Sequence, residues 1–265
     1  MSMPLERQPI RLGHIDLSFH GASAGVVREI LERHGHSVTL HAAPHEKMFA
    51  LLHEGEVDLV CSAWLPASHG SYLAPSVDEV EKLTVLYEPH CLWGVPDYVP
   101  ETMLASVGDL ARPDVAARMD KTIDGINPGA GISRFSAAMI DAYGLRAAGY
   151  RFEPGSETSA FAKFESAVAQ QRWLVIPLWS PQYLHHDYRI RALAEPLGML
   201  GGRDAATLVA RKAVLPHIAG GALDALRRLH LGNRVVTDLE YAMRVEGLTA
   251  QQAARRWLDR HGMAI

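Results

Sequence analysis

The first 65 residues leave few folds open to this chain. "IRLGHIDLSF" (10–19) begins with alternating apolar residues and reads as a strand. "GASAGVVREILERHGH" then places Val26, Val27, Ile30 and Leu31 on one helical face, with Gly35 as the stop. "SVTLHAA" reads as a second strand. "PHEKMFALLHEG" reads as a second helix, with Met48, Leu51 and Leu52 inward and Gly55 at its end, and "VDLVCSAW" as a third strand. A β-α-β-α-β run with such short connections predicts a parallel sheet covered by helices on both faces.

The pattern returns downstream. "KTIDGINPGAGISRFSAAMIDAYGL" reads as strand, glycine-rich turn and helix, with an apolar stripe of Ile132, Phe135, Met139 and Ile140. "YRFEPGSETSAFAKFESAVAQQ" gives another strand and helix, and "RWLVIPLWSP" a buried strand. The last third reads as helical and includes "LTAQQAARRWLDRHG", which carries Thr249 and Gln252 at capping-box spacing and closes at Gly262. Two strands thus end in Trp-x-Pro: Trp64-Leu65-Pro66 and Trp179-Ser180-Pro181. Ligands of open α/β sheets bind beyond the carboxyl ends of the strands. Each tryptophan therefore stands where a ligand would sit, and each proline would turn the chain so that the indole stays open to a cleft. The other reading of the same spacing is that both indoles cap the core.

Composition narrows the classes. The chain has 265 residues, 48% hydrophobic and 21% charged, with a net charge of −4. That is enough for two lobes and gives no sign of nucleic-acid binding. No apolar run approaches a membrane span. The start "MSMPLERQPIRLG" lacks the charged head and apolar stretch of a signal peptide. Cys61 and Cys91 fit no metal spacing and read as buried free thiols. His34, His36 and His41, and the pair His185-His186, have no carboxylate or cysteine to complete a ligand set, so no metal is expected. Neither a GxSxG elbow nor a GxxxxGK(S/T) loop is present, and no cofactor is expected.

In order along the chain, "GEVDLVCSAWLPASHGSYL", "DGINPGAGIS", "WLVIPLWSPQYLHHDYRIRALAEP" and "LTAQQAARRWLDRHG" resemble segments of the glycine betaine/proline betaine/choline substrate-binding proteins of ABC transporters. The resemblance implies a two-lobed, type II periplasmic-binding-protein fold, each lobe a mainly parallel sheet flanked by helices, with a ligand cleft at the hinge. The lobes would be residues 1–94 with a largely helical return over 196–265, and residues 95–195. "LWGVPDYVP" (92–100) and "RIRALAEP" (189–196) would be the crossings of a hinge that closes on the ligand. The resemblance further implies no catalysis, an ABC permease as partner, and a periplasmic or extracytoplasmic location. A cytoplasmic sensor or carrier of a cationic osmolyte is the alternative that the missing signal peptide leaves open.

The ligand class has its own physics. A trimethylammonium head has a delocalised charge and no donor hydrogen, so aromatic faces suit it, tryptophan best. Each such contact is worth roughly 0.5–2 kcal/mol, whereas micromolar binding needs about 8 kcal/mol. The rest must come from burial and from anchoring the other end of the ligand. Helix N-termini attract a carboxylate. "HGAS" (20–23), with Gly21 and Ala22, and "PGAGIS" (128–133), with Gly129, Ala130 and Gly131, read as such openings. The chain departs from the family where a first-strand tryptophan is usual, since Leu17 stands there with Phe19 and His20 beyond it. It also departs at Ala130, where some members carry tryptophan, and at Gln182-Tyr183, where histidine is usual. Trp64 and Trp179 are the matched cage residues, Phe19, Trp93 or Tyr183 could supply a third wall, and His69 matches a histidine common in the family. An enzyme using His20 and His69 as acid and base is a rival from another class.

Overall fold

The computed structural model of the protein describes residues 9–261. The chain forms two compact units, one from the segments up to Glu88 and from Ala205 onward, the other from Pro89 to Asp204.

The first unit begins with β1 (Ile10–Ile15), α1 (Ser18–Arg33), β2 (Val38–Ala43), α2 (His45–Glu54), β3 (Leu59–Leu65), the single turn α3 (Gly70–Leu73) and β4 (Val80–Tyr87). The second unit holds β5 (His90–Pro96), α4 (Pro113–Ala116), β6 (Thr122–Asp124), α5 (Gly131–Ala142), β7 (Arg151–Glu153), α6 (Glu157–Ala169), β8 (Ile176–Ser180), α7 (Leu184–Asp187) and β9 (Ile190–Ala192). The chain then returns to the first unit as β10 (Ala205–Arg211), α8 (Gly220–Arg228), α9 (Gly232–Arg244) and α10 (Ala250–His261).

The first unit's sheet has the order β2-β1-β3-β10-β4. β2, β1 and β3 are parallel, as the β-α-β-α-β pattern requires. β10 is antiparallel to both β3 and β4. α1 packs on β1 and β3 with Val26, Val27, Ile30 and Leu31 all buried, and α9 and α10 lie against it. In α2 the inward residues are Met48, Phe49 and Leu52, with Leu51 half-buried, and Gly55 ends the helix with φ of 76°. Thr249 and Gln252 exchange the two hydrogen bonds of a capping box ahead of α10. Gly262 lies outside the described residues.

The second unit has an antiparallel sheet β8-β5-β9 and a parallel pair β6-β7. Its pairing is thus more mixed than a mainly parallel sheet. "LWGVPDYVP" is not a crossing: it contains most of β5, the middle strand, and "RIRALAEP" contains β9, which pairs with it. β10 opens the return stretch that is otherwise expected to be largely helical. Its buried run Ala206–Ala210 sits between two strands of the first unit, where both faces are covered.

Candidate functional site

In the first unit the site grows from the carboxyl end of β3, all seven residues of which are buried. Trp64 stands there, 5% exposed, and Pro66 follows. The turn beyond is closed twice by His69: the Trp64 backbone N–H donates to His69 Nδ1 at 2.9 Å, and the His69 N–H donates to the Trp64 carbonyl at 2.8 Å. Phe19 lies 5.2 Å from Trp64 between ring centroids, His20 5.6 Å, His69 6.2 Å and Tyr87 6.4 Å, the last edge-on at 85°. His45 and Phe49 of α2 extend the cluster, 5.2 Å and 5.4 Å from His69.

Phe19 and His20 reach this cluster because α1 starts earlier than the spacing predicted. β1 ends at Ile15, Leu17 is the N-cap, and Ser18 is the first helical residue. The Gly21 N–H already bonds the Leu17 carbonyl at 3.0 Å. The first-turn amides are therefore those of Ser18, Phe19 and His20, not of Gly21 and Ala22, and the buried carboxylate of Glu240 on α9 accepts from the Ser18 hydroxyl at this helix start.

Polar atoms within the cluster are joined to each other. The Trp64 indole Nε1–H donates to the Tyr87 hydroxyl at 3.1 Å. Tyr87 and Ser62 share a hydrogen bond of 2.6 Å, and Ser62 Oγ lies 3.0 Å from His20 Nδ1. Burial, and then the nearby His69, His45 and His14, hold His20 well below the usual imidazole value. Burial likewise raises the Tyr87 phenol above its ordinary range. The surroundings thus favour the neutral forms of His20 and Tyr87.

In the second unit Trp179, near the end of β8, is 1% exposed. Phe161 of α6 joins it to Tyr183, with centroids 5.9 Å and 5.8 Å away. His185 Nε2 lies 3.0 Å from the Trp179 carbonyl, and burial lowers its basicity. Gln182 is fully buried: its carbonyl accepts from the Leu184 N–H at 2.8 Å and its amide donates to Glu157 at 3.2 Å. Trp93 is fully buried and donates its indole N–H to Ser136 of α5 at 2.8 Å. α5 starts at Gly131 with Ala130 as N-cap, as its glycine-rich approach predicted, and Arg134 bonds the Gly129 carbonyl.

Neither Trp64 nor Trp179 is open to solvent; each is packed among aromatic rings of its own unit. Cys61 is buried, with its thiol pushed up by desolvation, while Cys91 is half-buried with its thiol raised to about 12 by the same cause. Among the described residues no His/Cys/Asp/Glu group could hold a metal. No described helix is long and apolar enough to cross a membrane.

Sequence reasoning missed Phe161, Tyr87, Ser62, His45 and Phe49. Phe161 and Phe49 look like ordinary core residues of amphipathic helices. Tyr87 and Ser62 meet only through the pairing of three strands, which no local pattern encodes.

These features define a ligand-binding α/β protein of the type II periplasmic-binding class, and the comparisons give its family. Residues 8–260 match the family described as the substrate binding domain of ABC-type glycine betaine transport systems, and the chain belongs to it. That is a family of transport proteins and not of enzymes. Similar solved structures include lactococcal OpuAC in its closed form with glycine betaine, at 24% identity and a TM-score of 0.84, covering 96% of each chain. The glycine betaine/L-proline-binding protein ProX of Borrelia burgdorferi is 21% identical with a TM-score of 0.84, covering 96% of this chain and 93% of that one. A choline-binding protein in complex with choline is 17% identical with a TM-score of 0.83, covering 99% and 91%. The glycine betaine/carnitine transport binding protein GbuC of Listeria monocytogenes is 21% identical over 148 residues, 56% of this chain. The match spans about half of that relative, 49% of its length.

Proposed function

We propose that the protein is the extracytoplasmic substrate-binding component of an ABC importer, handing a small quaternary ammonium compound to a permease. Glycine betaine, choline or a related betaine is the ligand. One observation carries this reading beyond family membership. Around Trp64 the hydrogen-bonding atoms of Trp64, Tyr87 and Ser62 are joined to one another, so the cluster has π-faces to offer a ligand. A trimethylammonium group, which donates no hydrogen bond, suits such faces. In the second unit, Trp179 with Phe161 and Tyr183 forms an aromatic wall of its own. The carboxylate of a betaine has the first-turn amides of α5, which follow the small residues Gly129 and Ala130, to accept from. The similar lactococcal and choline-binding structures hold glycine betaine and choline, which supports the ligand class.

The test is calorimetric titration with glycine betaine, choline, carnitine and proline betaine. At least one binds. Trp64→Ala and Trp179→Ala each weaken it about tenfold or more, ~1.4 kcal/mol, the size of one cation–π contact. Binding by none of the four, or unchanged affinity in both variants, refutes the reading.

A further inference from the structure

The pairing register of the first unit puts an unusual row of side chains under the aromatic wall. In antiparallel ladders, residues directly opposite one another share a face. Ala206 of β10 is opposite Trp64 of β3 on one side and opposite Tyr87 of β4 on the other. Trp64, Ala206 and Tyr87 therefore form one row on one face of the sheet. Adjacent strands lie about 4.8 Å apart, so the outer members of the row are roughly 10 Å apart at their backbones. An indole and a phenol can meet across that gap only if the middle side chain is small. Ala206, fully buried, is that side chain, and the indole N–H reaches the phenol oxygen at 3.1 Å.

The run continues to the start of α1. Ser62, two residues before Trp64, bonds Tyr87 at 2.6 Å and lies 3.0 Å from His20 Nδ1. An indole N–H can only donate. Every hydrogen is used when Tyr87 accepts from Trp64 and donates to Ser62, and Ser62 donates to His20 Nδ1. His20 is then neutral, with its hydrogen on Nε2. This orientation matches a site whose groups facing His20 are themselves bases: His14 on β1, His45 on α2 and His69 after β3, with Ser62 and Tyr87 neutral.

We propose that Tyr87 and Ser62, with Ala206 as the spacer that lets them reach, are positioning residues that fix the plane of the Trp64 indole for its cationic ligand. Tyr87 holds the ring through its N–H, and Ser62 acts on it through Tyr87. A ring held at its N–H as well as by packing presents one face in one orientation, whereas a ring without that bond is oriented by packing against Phe19, His20 and His69 alone. The proposal rests on the reading that Trp64 binds the ligand.

The experiment compares wild type, Tyr87→Phe, Ser62→Ala and Trp64→Ala at a temperature where circular dichroism shows all four folded. Glycine betaine and choline are the titrants. Tyr87→Phe removes one oxygen and keeps the ring, and is expected to weaken the bound titrant about 3- to 10-fold. Ser62→Ala is expected to act in the same direction more weakly, and Trp64→Ala to act most strongly. The ligand-free fluorescence contributed by Trp64, taken as the difference between each protein and the same protein carrying Trp64→Ala, is expected to shift in Tyr87→Phe because the indole has lost its acceptor. A merely structural role would lower the melting temperature without moving that difference spectrum. If Tyr87→Phe fails to fold, Ser62→Ala carries both readouts. Wild-type affinity and an unshifted Trp64 spectrum in the folded variants, with Trp64→Ala impaired, overturn the positioning role and leave the functional reading standing. Full binding in Trp64→Ala removes Trp64 from the site and overturns the positioning role with it, whereas binding of none of glycine betaine, choline, carnitine and proline betaine by wild type overturns the functional reading itself.

Discussion

His20 shows how strongly a single residue here is shaped by its surroundings. It is 1% exposed, and burial together with three other histidines opposes its protonation. His14, His90 and His185 are lowered as well, each chiefly by desolvation. In the unfolded chain these groups titrate near 6.5. Below that pH the unfolded state takes up protons that the native state refuses, so the contribution is complete above 6.5 and is lost as the pH falls. A histidine that stays neutral in the native state gives a slope of about 1.4 kcal/mol per pH unit. The lowered carboxylates Glu29 and Asp109 have ordinary values of 4.5 and 3.8, so their part of the acid limb begins lower. The protein is therefore expected to lose stability between pH 7 and 5.5, read as the urea unfolding free energy. In His20→Gln that loss should shrink by about 1 kcal/mol. An identical pH slope in the variant would show that His20 takes up its proton as readily in the folded protein as in the unfolded chain.

At the scale of elements, α1 decides most, and its Gly25 is the contact point. A Cβ at Gly25 would lie 2.6 Å from the Ala250 carbonyl oxygen and 2.9 Å from its carbon, at the start of α10. One turn further on, Glu29 receives Arg33, Arg255 and Gln251, which ties the same two helices together. Alanine in place of glycine gains about 1 kcal/mol in helix propensity, but overpacking against backbone costs about 1–3 kcal/mol. Gly25→Ala is thus expected to be destabilising, by about 1 kcal/mol in urea unfolding; a stabilised variant would mean that α10 moves aside freely. Much of this level could be read in the sequence. The inward stripe of α1, the glycine stops of α1 and α2, the Thr249-Gln252 box and both Trp-x-Pro strand ends come from short-range spacing. The start of α1 was hidden because its N-cap is Leu17, which carries no capping side chain. β10 was hidden because it pairs with strands more than a hundred residues away. The Trp64–Ala206–Tyr87 row was hidden for the same reason, since register belongs to the sheet and not to any one segment.

For the whole molecule, the relevant quantity is how a ligand distributes its stabilisation over two units joined at Glu88-Pro89 and Asp204-Ala205. A ligand that binds only the folded state adds about 2.7 kcal/mol at a hundred times its dissociation constant. Local opening reports where that energy goes, because amide exchange from a segment slows only if the ligand stabilises the closed form of that segment. The turn Trp64–His69 closes the end of β3 in the first unit, and Trp179–Leu184 follows the same Trp-x-Pro pattern in the second. If both aromatic walls hold one ligand, saturation with the titrant that binds should slow exchange at residues 65–69 and 182–185 together. In Trp179→Ala the protection of both segments should fall at a fixed ligand concentration, because the affinity is shared. Protection confined to 65–69, and unaffected by Trp179→Ala, would assign the ligand to the first unit alone and remove Trp179 from the site.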